Sequence, residues 1–368
     1  MIEIAYIVKE RRGVERLRTA WKQAADAMTL SWGTPSNYSS EKSPMTAPSI
    51  PRLSLAHRPT PIEPLPRLSA LLGGPRLFIK RDDQTGLALG GNKTRKLEFL
   101  VAEAQAQGAR TLVTAGAWQS NHCRQTAAAA ARCGMDCILV LTGERPDEAS
   151  GNLLLDYLLG ARIVATPDRR DRDRLLAETV ETAAAQGQAP YLVPYGGSSP
   201  TGALGYAFAM GEVLAQGVEV DWMVFATSSG GTQAGLVLGQ RVFGYRGTLL
   251  GISIDEPATA LTSQVAALAS DASVALGPRI AFDAADVHVD DRYCGAGYGV
   301  LTDLEREAIR LFARTEGILL DPVYTGRAAG GLLDLIRRGF FPSDTRILFW
   351  HTGGQPALFA EPYRNELV

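Results

Sequence analysis

Cysteine is scarce in this chain: four residues in 368, at positions 123, 133, 137 and 294. They have neither the paired short spacings of a zinc site nor the density of a disulfide scaffold, so the expectation is reduced thiols and no metal centre. Cys133 and Cys137 would share one face of a helix, but the run from Cys137 reads as a strand and no histidine lies near. Long hydrophobic runs are missing too. None approaches the roughly 20 residues that a membrane helix requires. The first residues carry no apolar core followed by a cleavage site, which points to a cytoplasmic address and no membrane partner. Neither sign of charge dominates, since 37 Lys and Arg stand against 39 Asp and Glu for a net charge of -2. Without a basic surplus there is no electrostatic footprint for nucleic acid, and a small-molecule ligand is expected.

What is present is a large supply of core. The chain is 46% hydrophobic and 21% charged, enough for about two domains. Residues 1–47 stand apart, with a charged segment (Lys9 to Arg18) followed by a Ser/Pro/Thr-rich stretch, and read as a flexible or atypical extension. From about Pro51, short apolar runs alternate with helical periods: Thr111 to Ala117, Cys137 to Thr142, Ala161 to Thr166, Tyr191 to Pro194, Trp222 to Thr227 and Leu249 to Ile254. This βαβ rhythm predicts an α/β fold in which a parallel sheet is covered on both faces and ligands bind at the carboxyl ends of the strands. Residues Leu301 to Thr315 read as an amphipathic helix, with Leu304, Ala308, Leu311 and Phe312 inward and Glu305, Arg306 and Arg310 facing water.

Polar and glycine-rich motifs cluster where those strands end. In Gly90-Gly91-Asn92-Lys93-Thr94-Arg95-Lys96, three cations crowd the start of a helix, whose positive pole disfavours them and lowers the pKa of a lysine held there. A lysine so tuned is a nucleophile suited to a Schiff base, and Lys93 is the first candidate. Ser228-Ser229-Gly230-Gly231-Thr232, between a strand and a helix, reads as a phosphate cradle or a simple helix-start turn. It lacks the GxxxxGK[ST] pattern of a nucleotide triphosphate site and the Gly-x-Gly-x-x-Gly of a dinucleotide site. Gln119-Ser120-Asn121-His122 opens another helix and suits a carboxylate, with Ser120 as a plain N-cap the alternative. Asp321 to Gly326 and His351 to Gly354 are each read as ending a strand, and Tyr324 could stack on a flat cofactor or pack in the core.

Taken together, GGNKTRKLEFL (90–100), QSNH (119–122), SSGGTQAG (228–235), GYG (297–299), DPVYTGR (321–327) and HTGG (351–354) resemble the D-cysteine desulfhydrase and 1-aminocyclopropane-1-carboxylate deaminase family. The family belongs to the tryptophan-synthase-like, fold type II pyridoxal phosphate enzymes. The resemblance covers about residues 50–365. It implies two open, twisted, mostly parallel sheets covered by helices, with a smaller domain (96–204) inserted in a larger cofactor-binding domain (48–95 and 205–368). It implies pyridoxal 5'-phosphate as cofactor, carried by Lys93 as a Schiff base. Asn121 would contact the phenolic oxygen, while Ser229, Gly230, Gly231 and Thr232 hold the phosphate. Gln119, Ser120, Asn121 and His122 would grip the substrate carboxylate, Tyr324 would match the tyrosine beside the cofactor ring and Tyr298 the second active-site tyrosine, and a homodimer is expected.

Two departures separate the branches of that family. Ring-opening deaminases resemble one another in having Glu after the DPVY tyrosine and Leu after the HxGG histidine, where this chain has Thr325 and Thr352. A carboxylate would keep the pyridine nitrogen protonated; a threonine leaves it largely neutral, which suits β-elimination. The resemblance therefore implies a lyase acting on a β-substituted amino acid, foremost D-cysteine, giving pyruvate, ammonia and sulfide. L-cysteate, with Arg124 or Arg327 favouring an anionic leaving group, and 1-aminocyclopropane-1-carboxylate are the alternative substrates, and a non-catalytic cofactor-binding module is the alternative of another class.

Overall fold

The structure is a computed structural model and describes residues 50–295 and 297–367. The extension expected over residues 1–47 lies outside the described residues.

Among the described residues, ten strands form two sheets. The six-stranded sheet has the order β1-β2-β10-β7-β8-β9, built from β1 (Ile62–Pro64), β2 (Arg76–Arg81), β10 (Arg346–His351), β7 (Trp222–Thr227), β8 (Thr248–Ser253) and β9 (His288–Asp290). All its pairs are parallel except the β1–β2 edge. The four-stranded sheet has the order β5-β4-β3-β6, from β5 (Arg162–Thr166), β4 (Asp136–Thr142), β3 (Thr111–Ala117) and β6 (Pro190–Leu192), and is parallel throughout. Helices cover them: α1 (Pro66–Leu72), α2 (Asn92–Ala106), α3 (Asn121–Arg132), α4 (Gly151–Leu158), α5 (Arg172–Ala185), α6 (Pro200–Ala215), α7 (Gly231–Phe243), α8 (Ala258–Ser273), α9 (Asp303–Glu316) and α10 (Thr325–Arg337).

Strand side chains alternate between faces, and the larger sheet uses both. Along β10, Ile347 and Phe349 join a core with Val224, Ile252, Phe312 and Leu332, whereas Leu348 and Trp350 join a second core with Phe225, Met210, Leu236 and Val265. Each such side chain contributes about 1.5–3 kcal/mol on burial. This explains why the central strands read as continuous apolar runs. A third core packs Leu97 and Leu100 of α2 and Ala127 and Ala130 of α3 against Leu112, Leu139 and Leu141 of the smaller sheet.

The chain leaves the larger sheet after β2, builds the smaller one, and returns at β7. The boundaries expected at 95/96 and 204/205 both fall inside helices, α2 and α6, that pack on each other. Two expectations are corrected. No strand leads directly into Asp321; Ile318 and Leu320 are buried in an irregular segment that follows α9. Glu305 does not face water. It is fully buried and caps α9 by bonding Thr302, while its other oxygen accepts from Arg327 Nε at 2.5 Å.

Candidate active site

Helix α2 is pinned by a buried ion cluster before it offers anything to a ligand. Arg95 Nε and Nη2 donate to the two oxygens of Asp82 at 2.8 and 2.7 Å, and Arg95 Nη1 donates to Glu212 at 2.9 Å. Lys80 donates to the same Glu212 at 2.7 Å, and Tyr206 and Trp350 add hydrogen bonds to Asp82 at 2.6 and 2.9 Å. Burial alone would raise the Asp82 carboxyl. Arg95 and Lys80 overcome that and hold it at about 2. Four elements, β2, α2, α6 and β10, are thereby tied at one point.

The opposite side of the same helix has no such compensation. Lys93 Nζ and Lys96 Nζ both donate to the single carbonyl of Gly196, at 3.0 and 3.2 Å. Burial of its amine lowers Lys93 to about 8, with a hydrogen bond to Lys96 opposing. Lys96 is pushed well below its ordinary value by burial and then by the charge of Lys93. The depressed lysine expected at position 93 is present, but desolvation and not the helix pole is the chief cause. Of the three crowding cations, Arg95 is neutralised by carboxylates.

Around Lys93 lies a pocket lined by Asn92, Ser120, Asn121, His122, Tyr195, Gly196, Ala226 to Gly230, Thr232, Tyr324, Thr352 and Gly353. No carboxylate is among them. Its walls are the carboxyl ends of β3, β6, β7 and β10, so the expected location holds although the ends belong to two sheets. Backbones meet closely there: a Cβ on Gly353, at φ +89°, would stand 2.6 Å from Gly91 Cα. Helix α7 has Gly230, φ +76°, at its N-cap position and no side-chain cap, which leaves the amides of Thr232 and Gln233 for a ligand. Asn92 Nδ2 donates to Thr232 Oγ1 at 3.1 Å and joins this turn to α2.

The remaining sequence candidates divide. Ser120 lines the pocket and also caps α3, accepting from Cys123 N at 3.2 Å. Thr114 Oγ1 donates to Val193 O, so His122 Nε2 carries the proton in its 2.9 Å bond to Thr114. Burial and the nearby Lys93 and Lys96 push His122 well below its ordinary pKa, and a neutral ring brings no charge to a substrate carboxylate. Tyr324 lines the pocket, and its hydroxyl lies 2.6 Å from that of Tyr298, which stands behind it.

Five candidates are turned elsewhere. Thr325 donates to Asp321 Oδ1 at 2.7 Å and is buried outside the pocket lining, whereas Thr352 lines it. The Gln119 carboxamide is engaged by Ser150 O and Asn152 N. Gly231 N donates to Ser198 Oγ at 3.1 Å. Neither arginine suggested for an anionic leaving group is solvated or in the pocket lining. Arg124 donates to Gly90 O at 2.7 Å, and Arg327 binds Glu305 and the carbonyls of Ile254, Cys294, Gly297 and Val300, so it fastens the loop that carries Tyr298.

Sequence reasoning missed Tyr195 and Gly196. The signal was available, because Tyr195-Gly196-Gly197 follows β6 as the other glycine motifs follow their strands. Arg172 lies over the Tyr195 ring at 4.5 Å from its centroid.

Known proteins share this arrangement of sequence and fold. Residues 53–353 match the family described as pyridoxal-phosphate dependent enzyme. The chain is 46% identical over 320 residues to D-cysteine desulfhydrases of Salmonella typhi and Salmonella newport, covering 84% of this chain and 96% of either relative. Among solved structures, a homologue of ACC deaminase matches with a TM-score of 0.80 at 39% identity, over 87% of this chain and 96% of that one. An L-serine ammonia-lyase from Rhizomucor miehei shares the fold at a TM-score of 0.64 and 15% identity, over 86% of this chain and 100% of that one.

Proposed function

The chain belongs to the pyridoxal-phosphate dependent enzymes, and from that premise we propose that its pocket catalyses β-elimination on D-cysteine, giving pyruvate, ammonia and hydrogen sulfide with one water consumed. The observation that carries the choice of reaction is the pocket's lack of any carboxylate. With Thr352 in the lining and Thr325 held by Asp321, nothing there would keep a pyridine nitrogen protonated, as ring opening of a cyclopropane demands.

The residues present fit the cofactor. A half-buried lysine with an amine at about 8 suits an aldehyde, the uncapped start of α7 with the Ser229 and Thr232 hydroxyls suits a phosphate, and Tyr324 suits a flat ring. When bound, the cofactor supplies an electron sink that acidifies the substrate Cα–H and lets the β-substituent leave.

The chain's own residues would do the rest. Lys93 Nζ, once free, removes the Cα proton, a role for which its lowered pKa is suited near neutral pH. Ser120 Oγ and the first amides of α3 bind the substrate carboxylate. Tyr324, coupled to Tyr298 through the 2.6 Å hydroxyl contact, hands a proton to the departing sulfur. Burial raises both phenols, so they remain proton donors through the working range. The sulfonate alternative is less favoured, because Arg124 and Arg327 both lie outside the pocket lining.

The test is product analysis with purified protein against D-cysteine, L-cysteine, L-cysteate, D-serine and 1-aminocyclopropane-1-carboxylate. The expected result is the highest kcat/KM on D-cysteine, with equal pyruvate and sulfide. Ring opening of the cyclopropane substrate with no pyruvate from D-cysteine would contradict it. Homodimerisation and a cytoplasmic address belong to the same proposal. The first is supported by the family resemblance and checked by sedimentation, and the second by the four free thiols.

A further inference from the structure

Asn121 lines the pocket with a carboxamide, and such a group presents either a donor or an acceptor depending on which way it is turned. Asn152 decides the turn. It sits in the first turn of α4, contributes nothing to the pocket lining, and is completely buried. Its Nδ2 donates to the backbone carbonyl of Gln119 at 2.9 Å and to Asn121 Oδ1 at 2.9 Å. A backbone carbonyl can only accept, so the Asn152 atom facing Gln119 is the nitrogen. Its second hydrogen then requires an oxygen on Asn121. Asn121 Nδ2 is left as the donor for whatever occupies the pocket.

Asn152 is itself held from several sides. Its backbone N–H donates to Gln119 Oε1 at 2.8 Å, Gln119 Nε2 donates to Ser150 O at 2.9 Å, and Ser150 Oγ accepts from Glu361 N at 3.1 Å. Space around it is closed as well. A Cβ on Gly151, at φ +56°, would stand 2.6 Å from Gln119 Oε1 and 2.9 Å from Pro356 O. Although Asn152 Oδ1 has no partner of its own, the bonds made by its Nδ2 and backbone N–H favour one arrangement over the reversed one.

We propose that Asn152 is a positioning residue of the cofactor site, which locks the Asn121 carboxamide so that its nitrogen, and not its oxygen, meets an anionic ligand oxygen. The inference rests on the reading of Asn121 as the partner of the cofactor's phenolic oxygen. The isosteric Asn152→Asp offers only acceptors when ionised, so Asn121 must turn its nitrogen toward α4 and its oxygen toward the ligand. A lost hydrogen bond to a charged group corresponds to roughly a 10- to 100-fold change in affinity.

The experiment is titration of the full-length protein, freed of cofactor, with pyridoxal 5'-phosphate, followed by tryptophan fluorescence and by the pH midpoint of the bound cofactor's visible absorbance. Asn152→Asp should weaken binding roughly 10- to 100-fold and shift that midpoint. Asn152→Ala, which frees the amide without reversing it, should weaken binding less. In an Asn121→Ala background both effects should vanish. If Asn152→Asp does not fold, the Asn152→Ala and double-variant comparison decides alone. Unchanged affinity and midpoint, or losses that persist without the Asn121 side chain, would overturn the inference alone. A wild-type protein that takes up no cofactor would instead overturn the reading of the pocket, and the inference with it.

Discussion

Lys93 and Arg95 are two residues apart on one helix, yet they belong to opposite electrostatic regimes. Arg95 is sealed among Asp82, Glu212, Thr60 and Tyr206, where every nitrogen of the guanidinium has an acidic or hydroxyl partner. Lys93 shares one carbonyl oxygen with Lys96 and has no carboxylate in its pocket. The first region is built to stay charged, and it fixes α2 against two sheet strands and α6. The second is built to shed a proton. In the proposed site, then, the candidate lysine is tuned by withholding counter-charges, and the withholding is tolerable because a compensated cluster nearby holds the helix in place.

The most drastic contrast is Lys93→Ala, which removes the amine proposed to react and leaves the cage untouched. Turnover of D-cysteine should fall at least 100- to 10,000-fold, roughly the share of a positioned acid–base group, with the thermal midpoint retained. Parallel kinetics and melting curves check both halves. Next, Asp82→Asn attacks the cage and spares the amine. Removing one partner of a buried charge pair costs about 3–5 kcal/mol, measurable by denaturant unfolding. Since Asp82 sits at about 2 in the folded state, below its ordinary value, its stabilisation is present at neutral pH and lost as pH falls through about 2. The variant should therefore show a flatter acid limb than the wild type.

A subtler contrast comes from Lys93→Met in protein without cofactor. The folded-state pKa of Lys93 is lowered to about 8, so the lysine destabilises the fold while both states are protonated, and this penalty fades as pH rises from about 8 to the ordinary lysine value. Lys93→Met should be more stable than wild type at neutral pH, with the gain shrinking on the alkaline side. Denaturation across pH reads the sign directly. The smallest effect belongs to Ser120→Ala. Loss of the α3 cap should lower stability by about 0.5–2 kcal/mol, and a rise in KM beyond that would separate carboxylate binding from capping.

Much of the scaffold was readable because central parallel strands are buried on both faces. Thr111 to Ala117 and Trp222 to Thr227 stand out as unbroken apolar runs and begin and end where expected. Edge strands are partly exposed and less distinct: β5 starts at Arg162 and β6 already ends at Leu192, before Val193 and Pro194. Ile318 and Leu320 mimic a strand because burial alone selects apolar residues, whatever the backbone does. Motifs at strand ends identified the pocket, since a chain that places glycine, serine and asparagine there is arranging backbone donors.

Partnerships distant in sequence were beyond that reasoning. Glu305 falls on a polar position of its helix, and only Arg327, 22 residues on, draws it inside. Asp82 and Glu212 lie 13 and 117 positions from Arg95, so no local pattern distinguishes the caged cation from the bare one. Asn152 is in the same position, a polar residue opening an ordinary helix whose consequence depends on Gln119 and Asn121 more than 30 residues earlier.

The most direct measurement is reduction of the holoenzyme with borohydride followed by peptide mass spectrometry. The expected product is a phosphopyridoxyl group on Lys93 and none on Lys96, although both amines reach the same carbonyl. A label on Lys96, or the absence of any label on the peptide that contains both, would contradict it.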